Sequence, residues 1–502
     1  MLKNIVISNR YFDSATLMLL TNKVKNQLGL ATEEIAIMMA TEMNKRIMND
    51  SGLLAAAGEA ANPGDVLIAI KTDLDDAAVL KLVEDVLAQK GQKKATKEEV
   101  VSSVNEAVER YPDSNFTVVS LPGVYAAREA RKLLNANKHV LLFSDNISIE
   151  DEVALKDLAI SKDLLMMGPD CGTAIIHGVG LGFSNKVKKG RIGVVAASGT
   201  GLQEVVNLVS NHGSGISHAF GTGGRDVKDV VGGRMMLYCL DLLVKDDNTD
   251  VIVLVSKPPQ EKVLAKLIAR LETVKKPVVA CFLGAKKELF EGTSIHYAKT
   301  LEDAALEALK LEGKVVPSEF PVNELAASHA LKNPAGDVRA IYCGGTLAYE
   351  ALLTLEEHGL EVYSNLAKKP EHQLGAKDKS RKNVVLDMGD DEFTVGKPHP
   401  MIDPSGRSAR LREEAKDPAV SVIIADVELG YGSNDEAADQ LASDFAYIRE
   451  TRPDIVCIGV ICGSEDDYQG YAQKKSMLEA AGAIVPPSNA QALKLALAFL
   501  KK

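Results

Sequence analysis

Apolar runs and amphipathic segments alternate along most of this chain. Runs such as Val251–Ser256 and Val278–Leu283 are apolar at consecutive positions, as in strands buried on both faces, and helical periodicity fills most gaps between runs. The pattern predicts an α/β fold with several doubly wound parallel sheets. The predicted strands are Ile5–Ser8, Ile35–Met39, Val66–Ile70, Phe116–Ser120, Val140–Ser144, Leu164–Met167, Ile192–Ala197, Val251–Ser256, Val278–Leu283, Arg339–Cys343, Val384–Met388, Val420–Asp426 and Ile455–Ile461.

Polar segments divide this pattern. Lys186–Arg191 is a basic link, and Lys314–Asp337 has the Pro- and Gly-containing composition of an interdomain linker. Gln89–Glu99 is polar and charged, and we expect a surface loop inside the first domain there rather than a boundary.

Composition narrows the function classes. A chain of 502 residues is expected to form several domains, and its net charge of −11 argues against a nucleic-acid-binding protein. No apolar run approaches the roughly 20 residues of a membrane span, and no signal peptide is evident. Six cysteines without a C-x-x-C pair predict reduced thiols in the cytoplasm and no zinc site. Asp390, Asp391 and Glu392 could hold Mg²⁺, but acidic runs are more often solvated, so no resident metal is expected.

The stretch "VVAASGTGLQEVV" contains the first candidate site. A predicted buried strand is followed by a turn of four residues, Ser198, Gly199, Thr200 and Gly201. A helical pattern begins directly after this turn. Backbone N–H groups at such a helix start, with the helix dipole, favour an anion and usually a phosphate. The alternative is a Gly turn that only packs the helix against the strand.

A second turn has the same form. The strand ending at Asp426 is followed by Gly430, Tyr431, Gly432 and Ser433 and then by a helix. This turn is a second candidate for phosphate binding, and two such helix starts in separate domains could face one anion. The alternative is an ordinary helix start rich in capping residues.

Three further segments are candidates for substrate contact. Gly168, Pro169 and Asp170 directly follow a strand, where the carboxyl end of a sheet places binding residues. Arg225 lies on a Gly-rich loop and could bind a carboxylate or phosphate; the alternative is a solvated loop in which Arg225 pairs with Asp226.

The polar loop 389–407 is long enough to be functional and carries two candidate residues. His399 is a candidate for catalysis, and Arg407 is a candidate for binding a substrate carboxylate. No Walker-type loop or hydrolase nucleophile elbow is present in the sequence.

Taken together, these stretches resemble succinyl-CoA synthetase. From Phe116 to Gly284, "MGPDCGTAI", "KGRIGVVAASGTGLQEVV" and "KPVVACFLG" are similar to its α subunit; from Arg339 onward, "NVVLDMGDDEF" and "VIIADVELGYGSNDEAAD" are similar to the C-terminal ligase domain of its β subunit. Fused halves of this kind, without the ATP-grasp domain, resemble the FdrA family of acyl-CoA-synthetase-like proteins.

The resemblance implies three doubly wound units. We expect a Rossmann-like CoA-binding-type domain at residues 1–188, a flavodoxin-like α-type ligase domain at 189–325, and a flavodoxin-like β-type ligase domain at 336–502. It also implies that the two Gly-rich turns form the cradle that holds the phosphate of a phosphohistidine.

The chain departs from the synthetase at functional positions. The loop that carries the synthetase's catalytic His reads "GAKKELFEGTSIHYAK" here, with only His296 nearby. Lys257, followed by two prolines, stands where a Glu should steady that His, and "SNRYFDSATLML" replaces the CoA turn. Lys257 would add positive charge beside the anion, so we count it with Arg225 and His399 as a candidate catalytic residue.

Three functions remain open. The first is carbamoyl or acyl transfer to or from phosphate, by a subunit of an oxamate carbamoyltransferase in purine (allantoin) nitrogen catabolism. The second is an acyl-CoA ligase that uses a separate ATP-grasp partner, with Mg²⁺ supplied alongside that partner. The third is a scaffold that binds CoA or phosphate without turnover. The expected ligands are phosphate or acyl phosphate and a small carboxylate, with CoA also possible, and the expected assembly is a homo- or hetero-oligomer.

Overall fold

The computed structural model describes residues 2–8, 10, 12, 14–30, 34–90, 101, 103–316, 320–328, 335–394 and 398–500. The chain separates into two compact units, one of residues 1–100 with 393–403 and one of residues 101–392 with 404–502. Most of the predicted loop Gln89–Glu99 and parts of the predicted linker Lys314–Asp337 and of loop 389–407 lie outside the described residues. The domain boundaries after residues 188 and 325 stay predictions.

The first unit is a three-stranded sheet covered by helices. Strand β3 lies between β1 and β2 and is antiparallel to both, which is a split β-α-β arrangement. Its elements are β1 (Leu2–Ile7), α1 (Ser14–Leu28), β2 (Ile35–Met39), α2 (Glu42–Asp50), α3 (Ala56–Glu59), β3 (Val66–Lys71) and α4 (Asp76–Lys90).

The prediction of parallel pairing is wrong for this sheet, and burial explains why. Ile37 and Ile68 pack into one apolar cluster, whereas Ala36, Leu67 and Ala69 pack into another. Strands β2 and β3 are therefore buried on both faces, and each is a continuous apolar run in the sequence. A continuous apolar run indicates that both faces of a strand are buried. It does not distinguish a parallel strand from an antiparallel one.

The second unit begins with a parallel three-stranded sheet in the order β4-β5-β6. The Gly168–Asp170 turn follows its last strand. The elements are α5 (Val104–Arg110), β4 (Phe116–Val119), α6 (Gly123–Asn135), β5 (His139–Leu142), α7 (Ile149–Ser161) and β6 (Met166–Met167).

A seven-stranded sheet follows, in the order β13-β12-β11-β9-β10-β7-β8. Strands β9 to β13 are parallel, and the hairpin β7–β8 extends the sheet antiparallel to β10. The elements are β7 (Thr173–Ile176), β8 (Val179–Gly182), β9 (Lys189–Ala196), α8 (Gly199–Asn211), β10 (Ile216–Gly221), α9 (Arg234–Lys245), β11 (Val251–Ser256), α10 (Glu261–Leu271), β12 (Val278–Phe282), β13 (Ile295–Tyr297) and α11 (Leu301–Leu311).

The last sheet is five-stranded and parallel, in the order β15-β16-β14-β17-β18. The α/β fold class is thus confirmed. The elements are α12 (Val322–Ser328), β14 (Asp337–Tyr342), α13 (Gly345–Glu357), β15 (Val362–Ser364), β16 (Asn383–Asp387), α14 (Asp391–Thr394), α15 (Ser405–Glu414), β17 (Val420–Glu428), α16 (Ala437–Thr451), β18 (Val456–Cys462), α17 (Tyr471–Ala480) and α18 (Asn489–Leu500).

Helices α8 and α13 join the seven- and five-stranded sheets. One apolar cluster contains residues from both sheets, including Val253 of β11 and Ile424 of β17, together with both helices. Val205, Val206 and Val209 of α8 have no exposed surface, and burying each side chain contributes about 1.5–3 kcal/mol. The shared core fixes the starts of the two helices relative to each other.

Candidate functional site

Helix α8 starts at the predicted anion-binding turn. Ser198 is its N-cap, and the Ser198 hydroxyl accepts a hydrogen bond from the Gly201 N–H at 3.0 Å. A Cβ on Gly201 would overlap that hydroxyl. The N–H groups of Gly199 and Thr200 have no acceptor within the helix by helix geometry, and Gly199 is exposed. The start of α8 therefore offers donors that an anion in solvent can reach.

The start of helix α13 meets the start of α8. The hydroxyls of Ser198 and Thr346 lie 2.6 Å apart, and the Thr346 N–H donates to Thr200 Oγ1 at 3.2 Å. Both helix dipoles therefore point their positive ends into one place. This concentration of positive potential favours an anion there.

A carboxylate already occupies the α13 end. Asp426 Oδ1 accepts the Cys343 N–H at 2.7 Å, and Asp426 Oδ2 accepts the Gly344 N–H at 2.8 Å. Asp426 is fully buried at the end region of β17. The N–H groups of Cys343 and Gly344 are therefore bonded within the protein and are not available to a ligand.

The second predicted turn packs against the β7–β8 hairpin. The Tyr431 N–H donates to Ser184 O at 2.7 Å, and a Cβ on Gly432 would lie 3.0 Å from the Phe183 ring. Gly430 has a φ of +102°, and Ser433 is buried with an unpartnered hydroxyl. Helix α16 starts at Ala437 rather than directly after Ser433.

This turn approaches the α8 start through two residues of the hairpin region. Thr173 Oγ1 donates to Phe183 O at 2.7 Å and lies 3.9 Å from the position of a Cβ on Gly199. The helix start that directly contacts Ser198 is that of α13, a feature the sequence analysis missed. The assignment of Gly430, Gly432 and Ser433 to the phosphate site stays a prediction.

Lys257 and Asp387 lie at the carboxyl ends of strands β11 and β16, and each contacts α13. Lys257 follows β11, the neighbour of β9, is exposed, and places Nζ 4.9 Å from the Tyr349 ring centroid on α13. Asp387 ends β16 and is 9% exposed. Burial raises the pKa of Asp387 to about 7; Asp390 and Asp426 add to that rise, and Lys257 opposes it.

Arg225 lies beside the Gly168–Asp170 turn in the second unit. A Cβ on Gly223 would overlap Pro169 O, so the Arg225 loop packs on the turn. Burial, followed by Asp145 and Asp391, raises the pKa of Asp170 to about 6, and Arg225 opposes that rise.

The expected Arg225–Asp226 pair is replaced by other pairs. Arg225 Nε lies 2.9 Å from Glu152 Oε2, and Arg225 donates to Ile147 O at 2.8 Å. Asp226 instead pairs with the fully buried Lys156 at 2.8 Å. Arg225 therefore anchors its loop to the chain after β5, and its catalytic role stays a prediction.

Arg407 is inside the protein rather than at its surface. It is 1% exposed on α15 and contacts the backbone oxygen of Asp426 and, at 3.0 Å, Cys343 Sγ. Its Nε and Nη2 atoms have no hydrogen-bond partner, and the nearby carboxylates of Asp426 and Glu428 surround this cation. The expected contact of Arg407 with a substrate carboxylate stays a prediction.

The two histidines singled out in the sequence lie in different units. His399 belongs to the first unit, where its Nδ1 accepts the Met401 N–H at 3.2 Å. His296 lies on β13 in the second unit, and its Nδ1 is 2.9 Å from Glu307 Oε1. His399 as a catalytic residue stays a prediction.

Comparisons with known proteins agree with the fold. Residues 341–499 match the CoA-ligase family, and residues 1–103 match the family described as AllF, heavy metal-associated domain. YahF of Escherichia coli K12 is 40% identical over 100% of this chain and 99% of its own length. The succinate–CoA ligase [ADP-forming] subunit alpha of Aquifex aeolicus is 28% identical over 43% of this chain and 73% of its own length.

A solved structure of lower similarity was also found. ATP citrate lyase from Methanothrix soehngenii, in complex with citrate and coenzyme A, gives a TM-score of 0.37 at 16% identity over 44% of this chain. The match spans 42% of that structure's chain.

The metal implied by the name of the N-terminal family does not fit this chain. Residues 1–103 contain neither cysteine nor histidine. Soft and borderline metals are bound mainly by thiolate and imidazole ligands. Residues 1–103 therefore lack the ligands that such metals prefer. Among the described residues, no helix has the length and apolar character to cross a membrane.

Identity over the whole chain, together with the CoA-ligase match, decides the family. The α-subunit similarity covers 43% of this chain. The CoA-ligase match covers nearly all of the five-stranded sheet. This chain belongs to the family of YahF, the FdrA-type acyl-CoA-synthetase-like proteins of the succinyl-CoA ligase superfamily.

Proposed function

We propose that this protein transfers a carbamoyl or related acyl group to or from a phosphate held at the start of α8. The observation that carries the proposal is the exposed Gly199 at a helix start that meets a second helix start. Lys257, which follows β11 at the same end of the parallel strands, adds a positive charge. Donors arranged before the reaction stabilise charge that develops on phosphate as it attacks or leaves a carbonyl carbon.

The chain's departures from the synthetase favour transfer without a phosphohistidine. His296 lies on strand β13 and is paired with Glu307 of α11. Lys257 replaces the Glu expected beside a phosphorylated His. Phosphate itself, rather than a phosphorylated side chain, would then be the reacting group. The proposed reaction is the conversion of oxalurate and phosphate into oxamate and carbamoyl phosphate, by one subunit of a cytoplasmic oxamate carbamoyltransferase in purine nitrogen catabolism.

The second candidate is an acyl-CoA ligase that works with a separate ATP-grasp protein and Mg²⁺. The CoA-ligase match over residues 341–499 favours it. In that case the α8 start would hold an acyl phosphate, and CoA would be the acceptor. A scaffold that binds phosphate or CoA without turnover is the third outcome of the same experiment.

The test is product formation by the purified chain, with and without co-purifying proteins. One reaction contains oxalurate and phosphate and is assayed for carbamoyl phosphate; the other contains CoA, ATP and succinate and is assayed for acyl-CoA. Carbamoyl phosphate formed without CoA supports the proposal. Acyl-CoA in the second reaction alone overturns it in favour of the ligase, and phosphate binding without any product supports the scaffold.

A substitution ties the activity to the α8 start. Ser198→Asp keeps a good N-cap but puts a negative charge at the proposed phosphate position, so phosphate binding and product formation should fall together. Ser103→Asp is the matched control, because Ser103 caps α5 through the Glu106 N–H at 3.2 Å. Equal effects of the two substitutions would refute the assignment of the site.

A further inference from the structure

Asp387 is a buried carboxyl that no function has been given. Its backbone is held by Asn365, whose Oδ1 accepts the Asp387 N–H and whose Nδ2 donates to Asp387 O, both at 3.0 Å. The Gly389 N–H donates to Asp387 Oδ1 at 2.9 Å. The side chain is therefore fixed at the carboxyl end of β16.

This carboxyl lies next to the meeting point of the two helices. A Cβ on Gly345 would overlap Asp387 Oδ2, and the following residue, Thr346, contacts Ser198. Gly345 is the first residue of α13, so its lack of a side chain lets the carboxyl approach the helix start. Asp387 thus packs against Gly345, and the next residue, Thr346, contacts Ser198 at the proposed phosphate site.

Charged groups from three directions face Asp387. Asp390 lies on its own loop, Lys257 approaches from the end of β11, and Asp426 faces it from β17. Burial is the largest influence and, with the two acids, places the pKa of this carboxyl at about 7. The group therefore changes protonation in the range in which a proton donor and acceptor works best.

We propose that Asp387 relays the proton that carbamoyl transfer moves between phosphate and the amide nitrogen of the acceptor. The inference rests on the proposed function. In the direction of carbamoyl phosphate formation, a phosphate oxygen forms a bond to the carbamoyl carbon, and the bond from that carbon to the amide nitrogen breaks. The departing nitrogen takes a proton from the Asp387 carboxyl, and the carboxylate recovers one from the attacking hydrogen phosphate. The reverse reaction uses the same steps backwards.

The first measurement is the pH dependence of kcat/KM for carbamoyl phosphate formation. Asp387→Asn keeps the shape and the hydrogen bond from Gly389 but cannot carry the proton, so kcat should fall about 10²-fold or more, and the pH profile should retain only the ionisation of the substrate phosphate. KM for phosphate should change little. Asp390→Asn is the control, because it alters only a charge that faces Asp387. An Asp387→Asn enzyme with the wild-type pH profile would overturn the proposal.

The second measurement keeps the inference testable if the proposed reaction itself fails. Sulfate stays doubly charged near pH 7, so its binding beside Asp387 should raise the carboxyl's pKa and cause proton uptake. Calorimetry in buffers of different ionisation enthalpy measures that uptake, which we expect in the wild type and not in Asp387→Asn. In Lys257→Gln the uptake should be centred at higher pH, because the Lys257 charge opposes the rise in the pKa of Asp387. Equal uptake in the wild type and Asp387→Asn would refute the placement.

Discussion

Contact between the two helix starts can be measured as a coupling energy. Ser198→Ala removes the cap on α8, which costs about 1 kcal/mol, and removes the hydroxyl contact with Thr346, which costs about 0.5–1.5 kcal/mol. Thr346→Ala removes the same contact together with a buried methyl group, worth about 0.8 kcal/mol. The hydroxyl pair can be lost only once. The loss in free energy of unfolding of the double variant should therefore be about 1 kcal/mol smaller than the sum of the two single losses.

The assay is urea unfolding of the full chain followed by far-ultraviolet circular dichroism, since the chain has no tryptophan. The transition of the second unit must be fitted separately from that of the first. Ser103→Ala combined with Thr346→Ala provides the control cycle, in which the effects should add. A coupling energy near zero in the Ser198–Thr346 cycle would mean that the two helices do not meet in solution, and the site as described would be wrong.

Three more outcomes follow from buried groups. Gly345→Ala should destabilise the protein by about 1–3 kcal/mol and reduce sulfate-linked proton uptake, because its methyl group displaces Asp387; unchanged calorimetric uptake would contradict this. Arg225→Ala should cost about 1–3 kcal/mol in urea unfolding, because Glu152 is left buried without that partner, whereas a loss below about 0.5 kcal/mol would indicate a solvated loop. Burial raises the pKa of Glu204 from 4.5 to about 8, so the folded state holds this proton more tightly, and the stability that the proton contributes is lost as pH rises from 4.5 to about 8. Glu204→Gln should flatten the stability–pH curve over this range, and an unchanged slope would refute the shift.

The apolar runs located the strands well, and the failures have physical causes. Every strand predicted from an apolar run is present. Strand β10 was missed because Ser217 and His218 interrupt its apolar run; Ser217 is satisfied by Thr249 at 2.6 Å, and His218 stacks on Phe220. The β7–β8 hairpin was missed because each strand has only four residues and β8 contains two glycines.

The site was predictable only in part. The start of α8 was identified because strand, Gly-rich turn and helix are contiguous in the sequence. The stretch Cys343–Thr346 has the same local form at the start of α13 and could have been found in the same way. That the two starts meet depends on packing between two sheets, and the role of Asp387 depends on its burial, so neither could be read from local sequence.

The shared core of α8 and α13 also determines how the site responds to dilution. Both sheets lie on one chain, joined through the segment between α11 and β14. Closing a contact within one chain is unimolecular, so it does not depend on protein concentration. The two helix starts therefore stay paired at any protein concentration, and a loss of activity on dilution would report the departure of another protein rather than the opening of this site.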